Sequence, residues 1–281
     1  MLPKGKGWFI WRIDLTEGGD PEMIARVMHD GGFNHVILHI HDGYLPENAP
    51  SLGGRILDPF VDELKRAGIR CWGWGAVYAT TWAAGADIAI RRCQELELDG
   101  YIVDAEAAMK NAPGQAEQLM ARLRQGLGEE YPIGLSSYRY PKYHPTLPWV
   151  PLRSRMTFDM PQVYWQSAHN PAEQLRSSYD EFSRMYPNLP YLATGAAYKT
   201  GGWRPTRDDV IRFLDCAKNE LNLPGANFWV WHQCRRDLPD VWDAIYNYRW
   251  DVTPPPPEPT IEEKIAILWR EACDHGWNLE P

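Results

Sequence analysis

Two carboxylates at the end of a short apolar run are the residues of this chain best placed to do chemistry. The segment Gly-Tyr-Ile-Val-Asp-Ala-Glu, residues 100–106, has the pattern of a buried strand ending on Asp104 and Glu106. Because side chains alternate across a strand, both acids point to one side of it. Carboxylates there are costly unless water, polar partners or a substrate meets them. Like-charge repulsion raises the pKa of each, as a proton donor near neutral pH requires. The pair therefore predicts an acid–base catalytic centre.

Other polar and aromatic side chains fall at the ends of further apolar runs. Where strands and helices alternate in a barrel, the C-terminal ends of the strands build the active site. Those positions add Asp14 as a third candidate catalytic acid. They also supply candidate substrate-binding residues: Trp74, Tyr78, Tyr138, Gln162, Tyr164, Trp165, Trp231 and Gln233. Aromatic faces stack on sugar rings and amides bond sugar hydroxyls, so this mixture predicts a polysaccharide partner and requires no cofactor.

Eight strand-then-helix units position these residues. The strands are predicted over 8–15, 34–41, 69–78, 100–106, 133–138, 158–165, 190–197 and 226–232. Helices are predicted over 20–31, 57–67, 86–98, 115–127, 171–185, 206–221 and 238–248, with a single helical turn near 151–155. Eight units at intervals of about 30 residues predict an α/β fold, the (β/α)8 TIM barrel. The main rival, a doubly wound open sheet, lacks support because no glycine-rich phosphate loop follows the first strand.

The character of the chain changes after the last unit. A proline-rich stretch over 253–259 predicts an extended linker between a barrel of residues 1–252 and a C-terminal helix of residues 260–281. Thr260 and Glu263 have capping-box spacing, and an apolar helical stripe follows: Ile261, Ile265, Leu268 and Ala272. We expect this helix to dock on the barrel or on a partner, or to drive self-association.

The composition excludes several classes of protein. The chain has 281 residues, 44% of them apolar, and a net charge of −8 without a Lys/Arg cluster, which argues against nucleic-acid binding. Its 14 Trp and 14 Tyr suit a cleft that stacks flat ligand faces. No apolar run approaches the roughly 20 residues that span a bilayer. The N-terminal residues lack a signal-peptide core, so we expect synthesis in the cytoplasm.

The spacing of histidines and cysteines gives little support for a metal site. His39-Ile-His41 has the spacing of a metal-ligand pair on a strand, and barrel amidohydrolases use such a pair on their first strand. Here the pair falls on the second strand, and the fifth and sixth strands lack the partner histidines. The five cysteines are scattered, with no CxxC pair. We therefore predict no metal and no disulfide framework.

The motifs resemble those of glycoside hydrolase family 25, the lysozyme-type muramidases. The similar segments are Asp104-Ala-Glu106, Arg12-Ile-Asp14, Gly75–Tyr78, Gly134–Tyr138 and the Trp-rich Trp229–Gln233. The resemblance implies a barrel glycosidase with Glu106 as general acid and Asp104 as a stabiliser of positive charge, while Asp14 tunes the pair. An acid pair of this spacing also occurs in family 18 chitinases, but their longer DxxDxDxE pattern is absent.

The resemblance predicts hydrolysis of a β-linked amino-sugar polymer, with peptidoglycan as the preferred substrate. The enzyme would reach the cell wall after release, or from within a phage or secretion particle. One alternative is a non-catalytic barrel that binds glycan as a structural or surface module. Another is a barrel hydrolase that acts on a different glycoside. At the level of residues, Asp104 and Glu106 could be structural, and Asp14 could simply pair with Arg12.

Truncation after Asp251 tests the predicted tail. The barrel should keep its melting temperature and its activity on small substrates, because the apolar stripe is too small to belong to the core. Docking that stripe on a partner is worth several kcal/mol at about 25 cal/mol per Å², so truncation should change the assembly state or retention on the wall. Size-exclusion chromatography and melting curves measure both effects. A truncated chain that fails to fold would show that the tail covers the barrel's own surface.

Overall fold

Parallel strands alternate with helices along the chain, as the sequence predicts. The computed structural model describes residues 2–48 and 57–250, together with positions 261, 264–266 and 269. Within these residues the strands are β1 (Gly5–Ile10), β2 (Phe33–Asp42), β3 (Leu45–Pro46), β4 (Arg70–Val77), β5 (Gly100–Ala105), β6 (Ile133–Ser136), β7 (Phe158–Asp159), β8 (Gln162–Val163), β9 (Ala193–Ala196) and β10 (Gly225–Trp229). The helices are α1 (Pro21–Asp30), α2 (Asp58–Arg66), α3 (Trp82–Glu95), α4 (Pro113–Leu127), α5 (Trp149–Arg153), α6 (Pro171–Ser183), α7 (Arg207–Asp215), α8 (Trp231–Asp237) and α9 (Pro239–Asn247).

The sheet closes on itself through a strand in two pieces. Its order is β7-β6-β5-β4-β2-β1-β10-β9-β8, and β7 and β8 are consecutive pieces of the sixth barrel strand. On one side of that strand, the Met160 backbone N–H donates to a carbonyl of β6, and the Gln162 backbone N–H donates to the carbonyl of the residue just after β6. On the other side, Leu192 N–H and Thr194 N–H donate to the carbonyls of Asp159 and Pro161. The predicted TIM-barrel-like α/β fold is confirmed, with the short β3 added antiparallel to β2.

Two apolar layers follow from strand alternation. The barrel interior is filled by Phe9, Ile37, Trp72, Trp74, Ile102, Phe158, Met160 and Leu192. The larger outer layer lies between the strands and the helices. On β5, Tyr101 and Val103 belong to the outer layer and Ile102 to the inner one. Asp104, two residues after Ile102, therefore stands directly above the apolar interior.

The first and last strands are shorter than predicted. β1 ends at Ile10 rather than at residue 15, and two short turns of 3-10 helix follow it. β10 ends at Trp229, so Trp231 begins α8, a helix that the sequence did not predict. Several other helices begin within two residues of their predicted starts, whereas α3 begins at Trp82, four residues before the predicted start. Asp20 caps α1 by accepting from the Met23 N–H, and Thr206 with Asp209 forms a capping box on α7.

Little of the predicted C-terminal unit lies within the described residues. The five described tail positions are helical, and Ile261, Ile265 and Trp269 are exposed. The linker over 253–259 and the rest of the tail fall outside, so the division into barrel, linker and helix stays a prediction. Cys71, Cys93, Cys216 and Cys234 are all buried. Across the parts of the chain that the structure describes, no helix is long and apolar enough to cross a membrane.

The sixth strand is joined to the preceding helix by a buried ion pair, which predicts a large cost for breaking it. The Arg153 guanidinium donates two bonds, of 2.9 and 2.8 Å, to the Asp159 carboxylate, and both side chains are inaccessible. Asp159→Asn should lower the free energy of unfolding by about 3–5 kcal/mol, because a buried cation is left without its counter-charge. The matched control is Asp87→Asn, which breaks an exposed pair with Arg122 and should leave stability nearly unchanged. Equal losses in the two variants, measured by urea denaturation, would contradict the assignment.

Candidate active site

A cavity of about 190 Å³ opens at the C-terminal ends of the barrel strands. Its wall is formed by Phe9, Trp74, Asp104, Glu106, Ser136, Gln162, Tyr164 and Trp229. Six strands contribute, from β1 round to β10, and each lining residue lies on a strand or directly after one, so the sheet positions the side chains. Of the residues singled out from sequence, the structure brings five together here: Trp74, Asp104, Glu106, Gln162 and Tyr164. This is the place where barrel enzymes hold their reacting groups.

One amide group joins the two acids. Gln162 Nε2 lies 3.0 Å from Asp104 Oδ1, 2.8 Å from Glu106 Oε1 and 3.3 Å from Ser136 Oγ. An amide nitrogen carries only two hydrogens, so three acceptors compete for them and the carboxylates are not both fully satisfied. The arrangement orients the two acids toward the same point and leaves acceptor capacity for a substrate.

The pKa of Asp104 is raised well above its ordinary value. Desolvation by burial is the largest cause, and the charge of Glu106 adds to it; bonds from Ser136 and Gln162 act in the opposite direction. A smaller upward contribution comes from Asp42, at the end of β2. The pair therefore retains a proton at pH values where an isolated aspartic acid has lost its own. A retained proton is what a general acid needs.

Three tyrosines surround the acids and keep their hydroxyl protons. Burial raises the pKa of Tyr164 well above its usual value, and the charges of Tyr198, Asp104 and Glu106 add to the effect. Tyr78 donates a 2.6 Å bond to Asp42, which raises the pKa of Tyr78 to about 12. Tyr138 lies outside the cavity lining, and its pKa is raised mainly by burial and further by the charges of Glu106 and Asp104. All three can donate hydrogen bonds near neutral pH.

Four predicted site residues lie elsewhere. Asp14 sits in the turn after β1, outside the cavity lining, and accepts bonds of 2.9 and 2.6 Å from Arg12, the contact that the structural alternative predicts. Trp165 alternates with Tyr164 and therefore faces outward, where it is buried against Phe213. Trp231 is buried in the outer layer because β10 has already ended. Gln233 lies on α8, outside the cavity lining.

Three cavity residues were missing from the predicted set, and each lies on the inward-facing side of its strand. Trp229 is the inward-facing residue at the end of β10, whereas the prediction took Trp231. Ser136 pairs with Asp104 across β5 and β6 and lines the cavity. Its neighbour Ser137 donates its hydroxyl to the Ala105 carbonyl instead. Phe9, on β1, lies in the same inward register and closes the floor of the cavity.

His39 and His41 do not converge on one point. The register between β2 and β4 shifts between them, so the usual same-side relation of residues two apart is lost. His39 faces inward and stacks on Trp74 at 4.0 Å between ring centroids. His41 faces the outer layer, where its Nε2 lies 2.6 Å from the Tyr101 hydroxyl. In the described part of the chain, no three His, Cys, Asp or Glu side chains cluster as metal ligands would.

The comparisons with known proteins rest on structure. No model of a known protein family matches the chain, and no curated protein matches it. Among solved structures, the spore cortex-lytic enzyme SleL of Bacillus megaterium QM B1551 has a TM-score of 0.59 at 10% identity, over 90% of this chain and 75% of that one. A chitinase of Chromobacterium violaceum ATCC 12472 has a TM-score of 0.64 at 12% identity, over 87% of this chain and 98% of that one. An endo-1,4-beta-D-mannanase of Thermotoga petrophila RKU-1 has a TM-score of 0.57 at 11% identity, over 81% of this chain and 88% of that one.

The chain shares its fold with barrel glycoside hydrolases. At these identities the likeness concerns the fold, and a fold alone does not set an activity. It does not single out family 25, whose motifs several segments of this chain resemble. The function is therefore inferred from the cavity itself.

Asp104→Asn should raise the free energy of unfolding, and the gain should grow as the pH rises above about 4. The folded-state pKa of Asp104 is raised above the unfolded value of about 3.9, so folding opposes ionisation between the unfolded-state and the folded-state pKa. Stability contributed by the protonated form is complete below the unfolded pKa and is lost progressively up to the folded pKa. The amide removes this loss. Urea denaturation at several pH values measures it, with the exposed Asp87→Asn as control. A gain that does not change with pH would contradict the raised pKa.

Proposed function

We propose that this protein is a retaining glycoside hydrolase that cleaves β-linked polymers of N-acetylated amino sugars. Glu106 is the general acid, and Asp104 stabilises the positive charge that develops on the substrate. The single observation that carries the proposal is the Gln162 amide, which joins both acids inside an aromatic-lined cavity at the C-terminal end of the barrel. Such a constellation matches the paired carboxyl groups that glycoside hydrolysis requires.

The spacing of the acids supports retention of the anomeric configuration. Asp104 Oδ1 and Glu106 Oε1 accept from the same Gln162 nitrogen at 3.0 and 2.8 Å. The distance between these two oxygens is therefore at most the sum of the two bond lengths. Inverting pairs stand roughly 6.5–9.5 Å apart to admit a water, and retaining pairs about 5–5.5 Å apart. A nucleophile supplied by the substrate also gives retention, because its displacement inverts the centre a second time.

The proposed reaction uses the proton that the pair retains. On substrate binding this proton passes from Asp104 to Glu106, which delivers it to the glycosidic oxygen as the bond from that oxygen to C1 breaks and leaves Asp104 as a carboxylate. The carbonyl oxygen of the substrate's N-acetyl group attacks C1, and the Asp104 carboxylate accepts a bond from the adjoining N–H and stabilises its positive charge. Water then opens this cyclic intermediate at C1 and returns a proton to Glu106. The protein forms no covalent bond with the sugar in either step.

The remaining cavity residues suit an acetamido sugar. Tyr164 keeps its hydroxyl proton beside the two acids and can donate it to the N-acetyl carbonyl, holding that oxygen toward C1. Trp229 and Trp74 meet edge to face at 5.2 Å and form an apolar wall on which a sugar ring can stack. A sugar without the N-acetyl group would lose both the internal nucleophile and the bond to Tyr164.

The similar structures support the substrate class without deciding among its members. They include chitinases and a spore cortex-lytic enzyme, and also a mannanase, which keeps a different glycoside open as the alternative substrate. Peptidoglycan remains our preferred polymer. An enzyme of this kind would act on the wall after release from the cell, or from a phage or secretion particle. A purely glycan-binding barrel is the alternative of another class, and the absence of turnover on every glycan would favour it.

Glu106→Gln should reduce hydrolysis by about 10²–10⁴-fold, because the amide keeps the shape of the side chain but carries no transferable proton. Release of reducing ends from N-acetylglucosamine oligomers, and clearing of cell-wall suspensions, measure the loss. The control is Glu95→Gln on α3, which changes one half-exposed acid outside the cavity. Activity within a few-fold of the unaltered protein would remove Glu106 from the mechanism.

The first-formed product should carry the β configuration at the new reducing end. Proton NMR spectra taken within the first minutes of reaction distinguish it from the α anomer before the two equilibrate. Appearance of the α anomer first would overturn the retaining geometry. Turnover of mannan but not of N-acetylated oligomers would overturn the acetamido step while leaving a glycosidase.

A further inference from the structure

A second groove lies at the same end of the barrel, outside the catalytic cavity. It runs between residues 166–169, which follow β8, and residues 200–206, which follow β9, and has a volume of about 610 Å³. The two loops supply a tryptophan, a histidine, hydroxyl groups and a glycine turn. None of these residues belongs to the cavity around Asp104 and Glu106, so the groove has no part in the mechanism above.

The indole of Trp203 is held in a fixed orientation. Its Nε1 donates a 2.8 Å bond to the Ala168 carbonyl, across the groove's two loops. Its backbone exchanges a pair of 3.0 Å bonds with Thr200 around a tight turn at Gly201 and Gly202. The side chain is only partly buried, so it offers an apolar face whose position does not have to be ordered on binding. A fixed, partly exposed aromatic ring is suited to stacking on a sugar.

The histidine of the groove is oriented by a buried acid. His169 Nδ1 lies 2.6 Å from Asp209 Oδ2, and Asp209 is inaccessible while its partner is half exposed. The same carboxylate accepts from the Thr206 backbone N–H and from Arg212, which fixes it at the start of α7. Because Nδ1 is committed to Asp209, Nε2 is the nitrogen left to bond a ligand. A side chain positioned in this way is a specific hydrogen-bonding group rather than a freely rotating surface residue.

Tyr198 connects the groove to the catalytic cavity. Its ring meets Tyr164 edge to face at 5.4 Å and meets Trp203 edge to face at 6.1 Å. Its hydroxyl also reaches Gln166, at 3.5 Å. A continuous line of aromatic side chains therefore leads from the acids to Trp203. A chain of sugar rings can bind along such a line.

We propose that this groove is a distal sugar-binding subsite, which holds units of the same glycan several sugars away from the bond that is cleaved. Trp203 supplies the stacking face, and His169 with the neighbouring hydroxyls bonds sugar oxygens. Arg204 is engaged by the Asp240 carboxylate, so the groove presents mainly neutral donors and acceptors and suits an uncharged oligosaccharide. The inference rests on the proposed function and adds a preference for long chains over short ones.

Equilibrium binding to the Glu106→Gln protein tests the subsite. Calorimetry with the disaccharide and the hexasaccharide of N-acetylglucosamine should give tighter binding of the hexasaccharide. Trp203→Ala should weaken hexasaccharide binding by about tenfold, as expected for an aromatic contact worth about 1.4 kcal/mol, and should leave disaccharide binding unchanged. Trp269→Ala, which removes another exposed indole far along the chain, is the control and should change neither affinity.

A second variant guards against loss of folding in the first. Gly202→Phe adds a side chain where a Cβ atom meets nothing within 4 Å, so it should fill the groove without removing any contact. It too should weaken binding of the hexasaccharide alone. Equal affinities for short and long oligomers, or equal losses for both in the variants, would overturn the subsite while the catalytic proposal stands. Failure of every oligomer to bind or be cleaved would instead refute the proposed function.

Discussion

The repulsion between Asp104 and Glu106 is the constraint around which the barrel mouth is built. Two like charges above an apolar interior are unfavourable, and the protein offsets the cost with one amide, one hydroxyl and a retained proton. A structure selected for stability alone would place neutral residues there. The strain is kept because it supplies what the proposed reaction needs, namely a proton on an acid and an unsatisfied acceptor beside it.

Gln162 can perform its role only if the sixth strand is placed accurately. That strand is divided into two pieces of two residues each, so it has few ladder hydrogen bonds of its own to hold it in place. Asp159, three residues before Gln162, is anchored by Arg153 of α5, and the strand is bonded to its neighbours on both sides. The buried ion pair therefore acts on the site at a distance: it fixes the strand, and the strand fixes the amide between the acids.

Alternation along strands accounts for what the sequence could predict. The pattern of β5 placed Asp104 and Glu106 on one side of the strand, as the structure has them. On the sixth strand, alternation puts the predicted Gln162 and Tyr164 in the cavity and turns the predicted Trp165 outward. The prediction failed where a strand ended sooner than its apolar run. Trp231 and Asp14 both lie beyond such an end, in a helix and in a turn, and there the parity of the strand no longer applies. Apolar patterning does not mark these ends, because the outer layer continues to need apolar residues past them.

Tryptophan was the least informative residue type for the same reason. Trp8 and Trp231 are wholly buried in the outer layer, whereas Trp229 lines the cavity and Trp203 lines the groove. All four satisfy the same preference for large apolar surface, so composition cannot separate a core residue from a sugar platform. What separates them is the strand register and the loop that carries each ring. The aromatic line from Tyr164 through Tyr198 to Trp203 arises from two segments, one after β8 and one after β9, and the barrel brings them side by side.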